Sequence, residues 1–305
     1  MKILITGGAG FIGSNLCQKL LQENHSITVI DDLSTGLEHN LTKEINLEIG
    51  SVLDTELVTK LVEKSEAVVH LAARGSVPRS IKNPKATHDV NATGTQIVLE
   101  ATKNRGAHFI FSSSSSVYGL NTTLPKDEQM ILKPATPYAA SKMAAEGLAL
   151  SYATTYKMPI TTFRFFNVYG PHQRADHEYA AVIPKWINKC INYEELTVFG
   201  DGEQTRDFTY VDTVTDLISL SINKSIIHAE PINLAYGNKI SLNMIIELLR
   251  KEFPNLKVRY EGTRSGDIKH SENNPQLINS IFGSRKSYSF EDSLNKTIHW
   301  MRNSA

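Results

Sequence analysis

Cysteine is scarce in this chain: two residues in 305, Cys17 and Cys190, far apart and without metal-ligand spacing. That excludes a disulfide framework or a thiolate zinc site, and leaves two packed thiols in a reducing compartment. Net charge is also missing, with Lys+Arg and Asp+Glu at 32 each. No global field draws nucleic acid or an anionic membrane, so neither partner is expected, and any anionic ligand must be held by local groups. No apolar run reaches the roughly 18 residues of a membrane span. The opening run Met1–Thr6 is cut short by Gly7, Gly8 and Gly10 and leads into a helical pattern, so it reads as a strand and not a signal peptide. A soluble, cytoplasmic protein is expected. The ten histidines form no cluster, and no metal is expected. Internal repeats and low-complexity linkers are absent. The one biased segment, Ser112–Ser116, follows a strand too closely to be a linker.

What is present is alternation. Strands are predicted at Ile3–Thr6, Ile27–Asp31, Leu47–Ile49, Ala67–Leu71, Phe109–Ser113 and Ile160–Phe166. Helices are predicted at Ser14–Glu23, Glu56–Glu63, Thr87–Lys103 and Tyr138–Tyr156. This spacing predicts an α/β fold, a doubly wound parallel (Rossmann) sheet that binds ligands at the carboxyl ends of its strands. After about Asn167 the elements shorten. Strands are expected at Leu196–Phe199, Ile232–Leu234 and Val258–Tyr260, with helices at Leu242–Glu252 and Pro275–Ile281. The division expected is a sheet domain over 1–167 and a smaller interleaved α/β domain over 168–305, with segments near 196–240 returning to the sheet.

Gly7-Gly8-Ala9-Gly10-Phe11-Ile12-Gly13 follows a strand and opens a helix. Its glycines permit a tight turn and close approach to a pyrophosphate, while the helix N-terminus supplies N–H groups. Asp31 ends the next strand, where a carboxylate suits adenosine ribose hydroxyls and repels a 2′-phosphate. No arginine follows in Asp31–Gly36, so the expected cofactor is NAD and not NADP.

Tyr138 and Lys142 stand at i and i+4, on one face of a helix. Tyr-x-x-x-Lys alone is common, and a surface tyrosine is its usual explanation. Downstream of a dinucleotide turn the pair reads as a base whose pKa the cation lowers. A serine from the run ending the fifth strand can bond to the reacting oxygen and relay its proton to Tyr138.

These features together resemble the extended short-chain dehydrogenase/reductase family, in its nucleotide-sugar epimerase branch. The resemblance covers nearly the whole chain, on Thr6–Ser14, His70-Leu71-Ala72-Ala73, Asn91-Ala92-Thr93-Gly94-Thr95, the serine–Val117-Tyr118-Gly119 segment and Pro137-Tyr138. It implies Ser114, Tyr138 and Lys142 as catalytic residues. It implies NAD contacts from Gly7, Gly10, Phe11, Ile12, Gly13, Asp31, Asp32, Ser34, Thr35, Gly36, Ser51, Val52, Leu71, Ala72, Ala73, Tyr138 and Lys142. One departure is Gly50-Ser51-Val52-Leu53-Asp54, where family members carry Gly-Asp-x-x-Asp; Ser51 loses the usual partner of the adenine amino group.

Family members that dehydrate or decarboxylate their sugar carry acids at the positions of Ser115 and Ser116. Their absence points to 4-epimerisation: C4 oxidation, rotation of the 4-keto sugar and re-reduction. The resemblance implies a UDP-sugar substrate held by Asn167, Arg206, Arg264 and Asp267. Gly75–Ser80 and Tyr179–Trp186 are similar to the N-acetylhexosamine-preferring group. In that group Ser76, Asn167, Gln173, Ala181 and Ser271 ring the sugar, and small Ser271 leaves room for an N-acetyl group; Ser114, Ser115, Ser116, Tyr138 and Val182 are further substrate contacts that the resemblance implies. A UDP-uronic acid 4-epimerase, a 4,6-dehydratase or a non-catalytic NAD-sensing protein are the alternatives. A homodimer through the helices at 87–103 and 138–156 is expected.

Overall fold

Strand and helix signals resolve into a seven-stranded parallel sheet, in a computed structural model that describes residues 1–176, 180–263, 270–283 and 288–304. In chain order the elements begin β1 (Lys2–Thr6), α1 (Phe11–Gln22), β2 (Ser26–Asp31), β3 (Asn46–Ile49), α2 (Thr55–Val62) and β4 (Ala67–His70). There follow α3 (Val77–Lys82), α4 (Pro84–His88), a π-helical turn (Asp89–Thr93), α5 (Gly94–Arg105), β5 (His108–Ser114), α6 (Pro137–Tyr156) and β6 (Ile160–Phe165). Next come β7 (Val168–Tyr169), α7 (Val182–Ile191), β8 (Leu196–Phe199), β9 (Thr205–Arg206), β10 (Thr209–Tyr210) and α8 (Val211–Asn223). The chain ends with β11 (Ile232–Leu234), β12 (Ile240–Ser241), α9 (Leu242–Glu252), β13 (Val258–Glu261), α10 (Gln276–Phe282) and α11 (Phe290–Ser304).

Two compact units share these elements. The first comprises Met1–Thr122, Glu128–Phe165 and Val214–Leu234; the second comprises Thr123–Asp127, Phe166–Thr213 and Ala235–Ala305. In the first, the strand order is β11-β6-β5-β4-β1-β2-β3, every neighbouring pair parallel. The central strands are apolar along their length because helices cover both faces of the sheet. All four residues of β4 are buried. Leu4, Val68, Phe109 and Phe111 join Val98 and Leu99 of α5 in one core cluster. Each such side chain contributes about 1.5–3 kcal/mol on burial.

Strand order reverses on either side of β1, which opens a crevice at the carboxyl ends of β1 and β4. Thr6 and His70, register partners, mark its floor. The second unit holds three two-stranded sheets: β10 with β7, β12 with β9, and β13 with β8. Thus Leu196–Phe199 pairs inside the second unit and does not return to the large sheet, whereas Ile232–Leu234 is that sheet's edge strand.

Two local differences from the sequence expectation stand out. The helix predicted at Thr87–Lys103 is three pieces, with the π turn between α4 and α5, and Val77–Lys82 forms a further short helix that the sequence reading did not include. Helix α8 gave no signal because valine, threonine and isoleucine weaken local helix propensity. Burial of Val214, Leu217 and Ile218 overrides that weakness.

Candidate active site

The glycine turn fits a dinucleotide by close packing. Gly7 has φ +71°, and a Cβ there would meet the Ala72 nitrogen at 2.7 Å; one on Gly13 would meet the Gly7 carbonyl oxygen at 2.4 Å. The N-terminus of α1 has Gly10 as its N-cap with no side-chain cap, and no acid in the first turn, so its N–H groups face the crevice without a competing side chain. Asp31 is 7% exposed and accepts from the backbone N–H of Ala9 at 3.0 Å and of Leu33 at 2.9 Å. Burial pushes its carboxyl up from the usual value while those two bonds oppose the rise. Two lone-pair sites remain for hydroxyl donors. Asp32 accepts the Ser34 N–H at 2.9 Å and shapes the turn through Thr35 and Gly36. Phe11 and Ile12 begin α1, and Leu71, Ala72 and Ala73 leave β4 beside the turn, the Leu71 N–H still bonded to the Thr6 carbonyl at 3.1 Å. Ser51 accepts the Leu53 N–H at 3.2 Å, and Val52 lies in the core cluster with no polar side-chain group to offer. These residues form a cradle that matches the demands of NAD.

Strand geometry sorts the serine run. Ser112 donates to the His70 carbonyl at 2.9 Å, and Ser113, on the opposite face, donates to Glu146 at 2.6 Å. Ser114 ends β5 and caps the 3₁₀ turn Ser115–Tyr118: its Oγ accepts the Ser116 N–H at 3.2 Å and the Ser116 hydroxyl at 2.9 Å. Two donors aimed at one hydroxyl oxygen leave the Ser114 hydrogen free to be donated, and Ser114 is near enough to the Tyr138 phenol to favour its ionised form.

Tyr138 and Lys142 rise from the first turns of α6, which starts with Thr136 as N-cap and Pro137 behind it. Burial raises the Tyr138 phenol above its usual value, and Ser114 opposes the rise. Burial also lowers Lys142, to about 8, and its Nζ donates to the Ser112 carbonyl at 2.8 Å. The lysine is thus anchored to the strand end beside the phenol.

In the second unit, Asn167, Ala181, Val182 and Arg206 line one cavity of about 500 Å³. Asn167 adopts φ +37° and donates to the Asp207 carbonyl at 3.1 Å. Arg206 sits on β9 and bonds to the Thr205 carbonyl at 2.9 Å. Ser271 adjoins that strand through its N–H to the same Thr205 carbonyl, at 3.1 Å. Gln173 donates to the Val168 carbonyl at 3.1 Å, while its buried Oε1 has no hydrogen-bond partner among the described residues. In the first unit Ser76 caps α3, accepting the Arg79 N–H at 3.3 Å. Arg264 and Asp267 lie outside the described residues.

Sequence reasoning missed Lys185 and Lys189, which face the cavity one turn apart on α7. The signal was available: Ile183, Trp186, Ile187 and Cys190 form the buried stripe of that helix. It also missed Asp207, fully buried beside Arg206. Its carboxylate accepts the backbone N–H groups of Gly237, Asn238 and Asn273 at 2.8–3.2 Å, and burial pushes it up to about 6.

Known proteins are similar to this chain over its whole length. UDP-glucose 4-epimerase of Mycolicibacterium smegmatis is 31% identical over 320 residues, covering 99% of each chain. The solved UDP-N-acetylglucosamine 4-epimerase from Methanobrevibacter ruminantium M1, in complex with UDP-N-acetylmuramic acid, superposes with TM-score 0.94 at 34% identity, covering 100% of this chain and 99% of that one. UDP-glucuronic acid 4-epimerase from Bacillus cereus, in complex with UDP-glucuronic acid and NAD, gives TM-score 0.89 at 31% identity and covers 100% of each. The sequence profile of the NAD dependent epimerase/dehydratase family matches residues 3–235. On that match, over most of its length, the chain belongs to the NAD dependent epimerase/dehydratase family.

Proposed function

We propose that the protein interconverts UDP-GlcNAc and UDP-GalNAc by inverting C4 of the sugar. The observation that carries this reading is the Ser114 hydroxyl, oriented by Ser116 with its own hydrogen free, close to the half-buried Tyr138, with Lys142 one turn further along α6. Tyr138 takes the O4 proton through or beside the Ser114 hydroxyl, and returns it after the 4-keto sugar has turned over. Ser116 and its N–H hold Ser114 Oγ while this happens. Lys142 holds the nicotinamide ribose. NAD, when bound, supplies the acceptor for the C4 hydrogen and gives it back, so it stays with the enzyme between turnovers. Gly7, Gly10, Gly13 and Asp31 are its principal contacts.

The cations Arg206, Lys185 and Lys189 around the second unit's cavity suit a nucleotide diphosphate. The N-acetyl preference rests on two features. Ala181 and Ser271 are small, and the unpaired carbonyl of Gln173 can accept an amide or hydroxyl hydrogen. Serines 115 and 116 in place of acids speak for epimerisation over dehydration. Arg264 and Asp267 complete the diphosphate and ribose contacts in this reading, and the enzyme works as a homodimer through α5 and α6.

A proton NMR time course of purified enzyme with UDP-GlcNAc and no added NAD tests the proposal, with UDP-glucose and UDP-glucuronic acid in parallel. Appearance of UDP-GalNAc is the expected result. Turnover of UDP-glucuronic acid alone would transfer the site to uronic acids, and a 4-keto-6-deoxy product would make the enzyme a dehydratase.

A further inference from the structure

His70 closes β4 at the floor of the crevice, 1% exposed and flanked by the rings of Phe109 and Phe111 at 6.0 Å. Its two nitrogens face two threonines. Nδ1 lies 2.7 Å from Thr6 Oγ1 and Nε2 lies 3.0 Å from Thr95 Oγ1. The hydroxyl of Thr95 donates to the Asn91 carbonyl at 2.6 Å, so towards His70 its oxygen can only accept. Nε2 must therefore carry the hydrogen. In the neutral ring Nδ1 is then an acceptor and takes the hydrogen of Thr6. Thr6 Oγ1 in turn accepts the N–H of Ala72 at 3.2 Å. The chain from the Ala72 N–H through Thr6, His70 and Thr95 to the Asn91 carbonyl uses every hydrogen once. A second ring proton would leave the Thr6 hydroxyl with no acceptor in that chain.

Thr6 is the last residue of β1 before Gly7, and the Ala72 nitrogen is the atom against which Gly7 packs. We infer that His70 is a positioning residue, a neutral imidazole held as its Nε2–H tautomer that joins the glycine turn, the Leu71–Ala73 segment and α5 into one cofactor cradle. The inference rests on dinucleotide binding in the crevice and is independent of which sugar the enzyme accepts. Two further influences keep the ring uncharged: burial, and the Lys142 ammonium on α6, which together hold its pKa down at about 3.

Long-range ¹H–¹⁵N spectra of the full-length protein labelled at histidine test the tautomer. Two imidazoles that do not titrate between about pH 8 and pH 5 are expected, His70 and His108, and the one absent from His70→Gln should show the Nε2–H pattern. An Nδ1–H pattern, or titration within that range, would overturn the inference. His70→Phe fills the space without either bond, and His70→Gln keeps one donor and one acceptor. The phenylalanine variant is expected to bind NAD about tenfold more weakly or worse, from the loss of two buried hydrogen bonds, with glutamine restoring most of the affinity. A folded His70→Phe protein that binds NAD as tightly as the wild type would refute the role. Should His70→Phe fail to fold, the spectra and the glutamine variant decide the matter.

Discussion

Arg164 grips Glu146 beneath the chemical site, Nη2 to Oε1 at 2.6 Å and Nε to Oε2 at 3.0 Å, with both side chains shut away from solvent. Glu146 lies one turn beyond Lys142 on α6, and Ser113, the neighbour of Ser114, donates to the same carboxylate. Arg164 also reaches the Tyr118 phenol at 2.8 Å and the Glu128 carbonyl at 3.2 Å. The pair braces β5, β6 and α6 against one another. Removing one partner leaves a buried charge uncompensated, so Glu146→Ala or Arg164→Ala should each cost roughly 3–5 kcal/mol. Urea denaturation measures this. A loss under about 1 kcal/mol, the range of an exposed pair, would show that the brace is not structural.

Tyr138→Phe removes the phenol hydroxyl and keeps the ring. Turnover should fall by about 10²–10⁴, while retained NAD and UDP affinity stay unchanged. Full activity in this variant would end the proposed mechanism.

Ser116→Ala takes away one of the two hydrogen bonds that orient Ser114 Oγ. One such bond is worth about 0.5–1.5 kcal/mol, so kcat should drop by roughly two- to tenfold with KM little changed. A rise in KM at constant kcat would instead make Ser116 a ground-state binding group.

Alanine favours helix over glycine by up to about 1 kcal/mol. Gly13→Ala should nevertheless harm the protein, because the added carbon would sit 2.6 Å from the Gly8 Cα. The turn must open to admit it. Purified Gly13→Ala enzyme should carry less NAD, measured by absorbance of the cofactor released on denaturation.

His108 is buried beside Thr161, and burial lowers its pKa to about 4 from 6.5. Between those values the unfolded chain holds a proton that the folded one does not. Its contribution is therefore lost as pH falls from 6.5 towards 4. In His108→Gln the melting temperature should decline less steeply across that window than in the wild type.

Legibility in the sequence followed burial. β1, β2, β4 and β5 were readable because helices cover both faces, which makes each strand a short apolar run between turns. The glycine turn and the Tyr138–Lys142 pair were readable because their spacing carries the geometry. The five serines were not, since identical residues have no period; only strand alternation sends Ser112 to the His70 carbonyl and Ser113 to Glu146. Two-residue strands such as β9 are too short for a pattern, and Asp207 became visible only when loops distant in sequence closed around it.

The π turn at Asp89–Thr93 acts as a phase slip in an otherwise continuous helical path. Each residue of an α-helix advances the azimuth by about 100°, and a π turn holds one residue more than an α turn. Upstream and downstream segments are thereby set out of step. The slip lets Asn91 turn its amide to the Arg74 backbone N–H at 2.7 Å and to the Ser141 hydroxyl at 2.9 Å, while Val98 and Leu99 still face the core. Deleting one residue there would bring the helix back into step and swing everything on one side of the cut through roughly that angle. Chain length at this point is therefore fixed by rotational bookkeeping, and substitutions between Asp89 and Thr93 should be tolerated far better than any insertion or deletion.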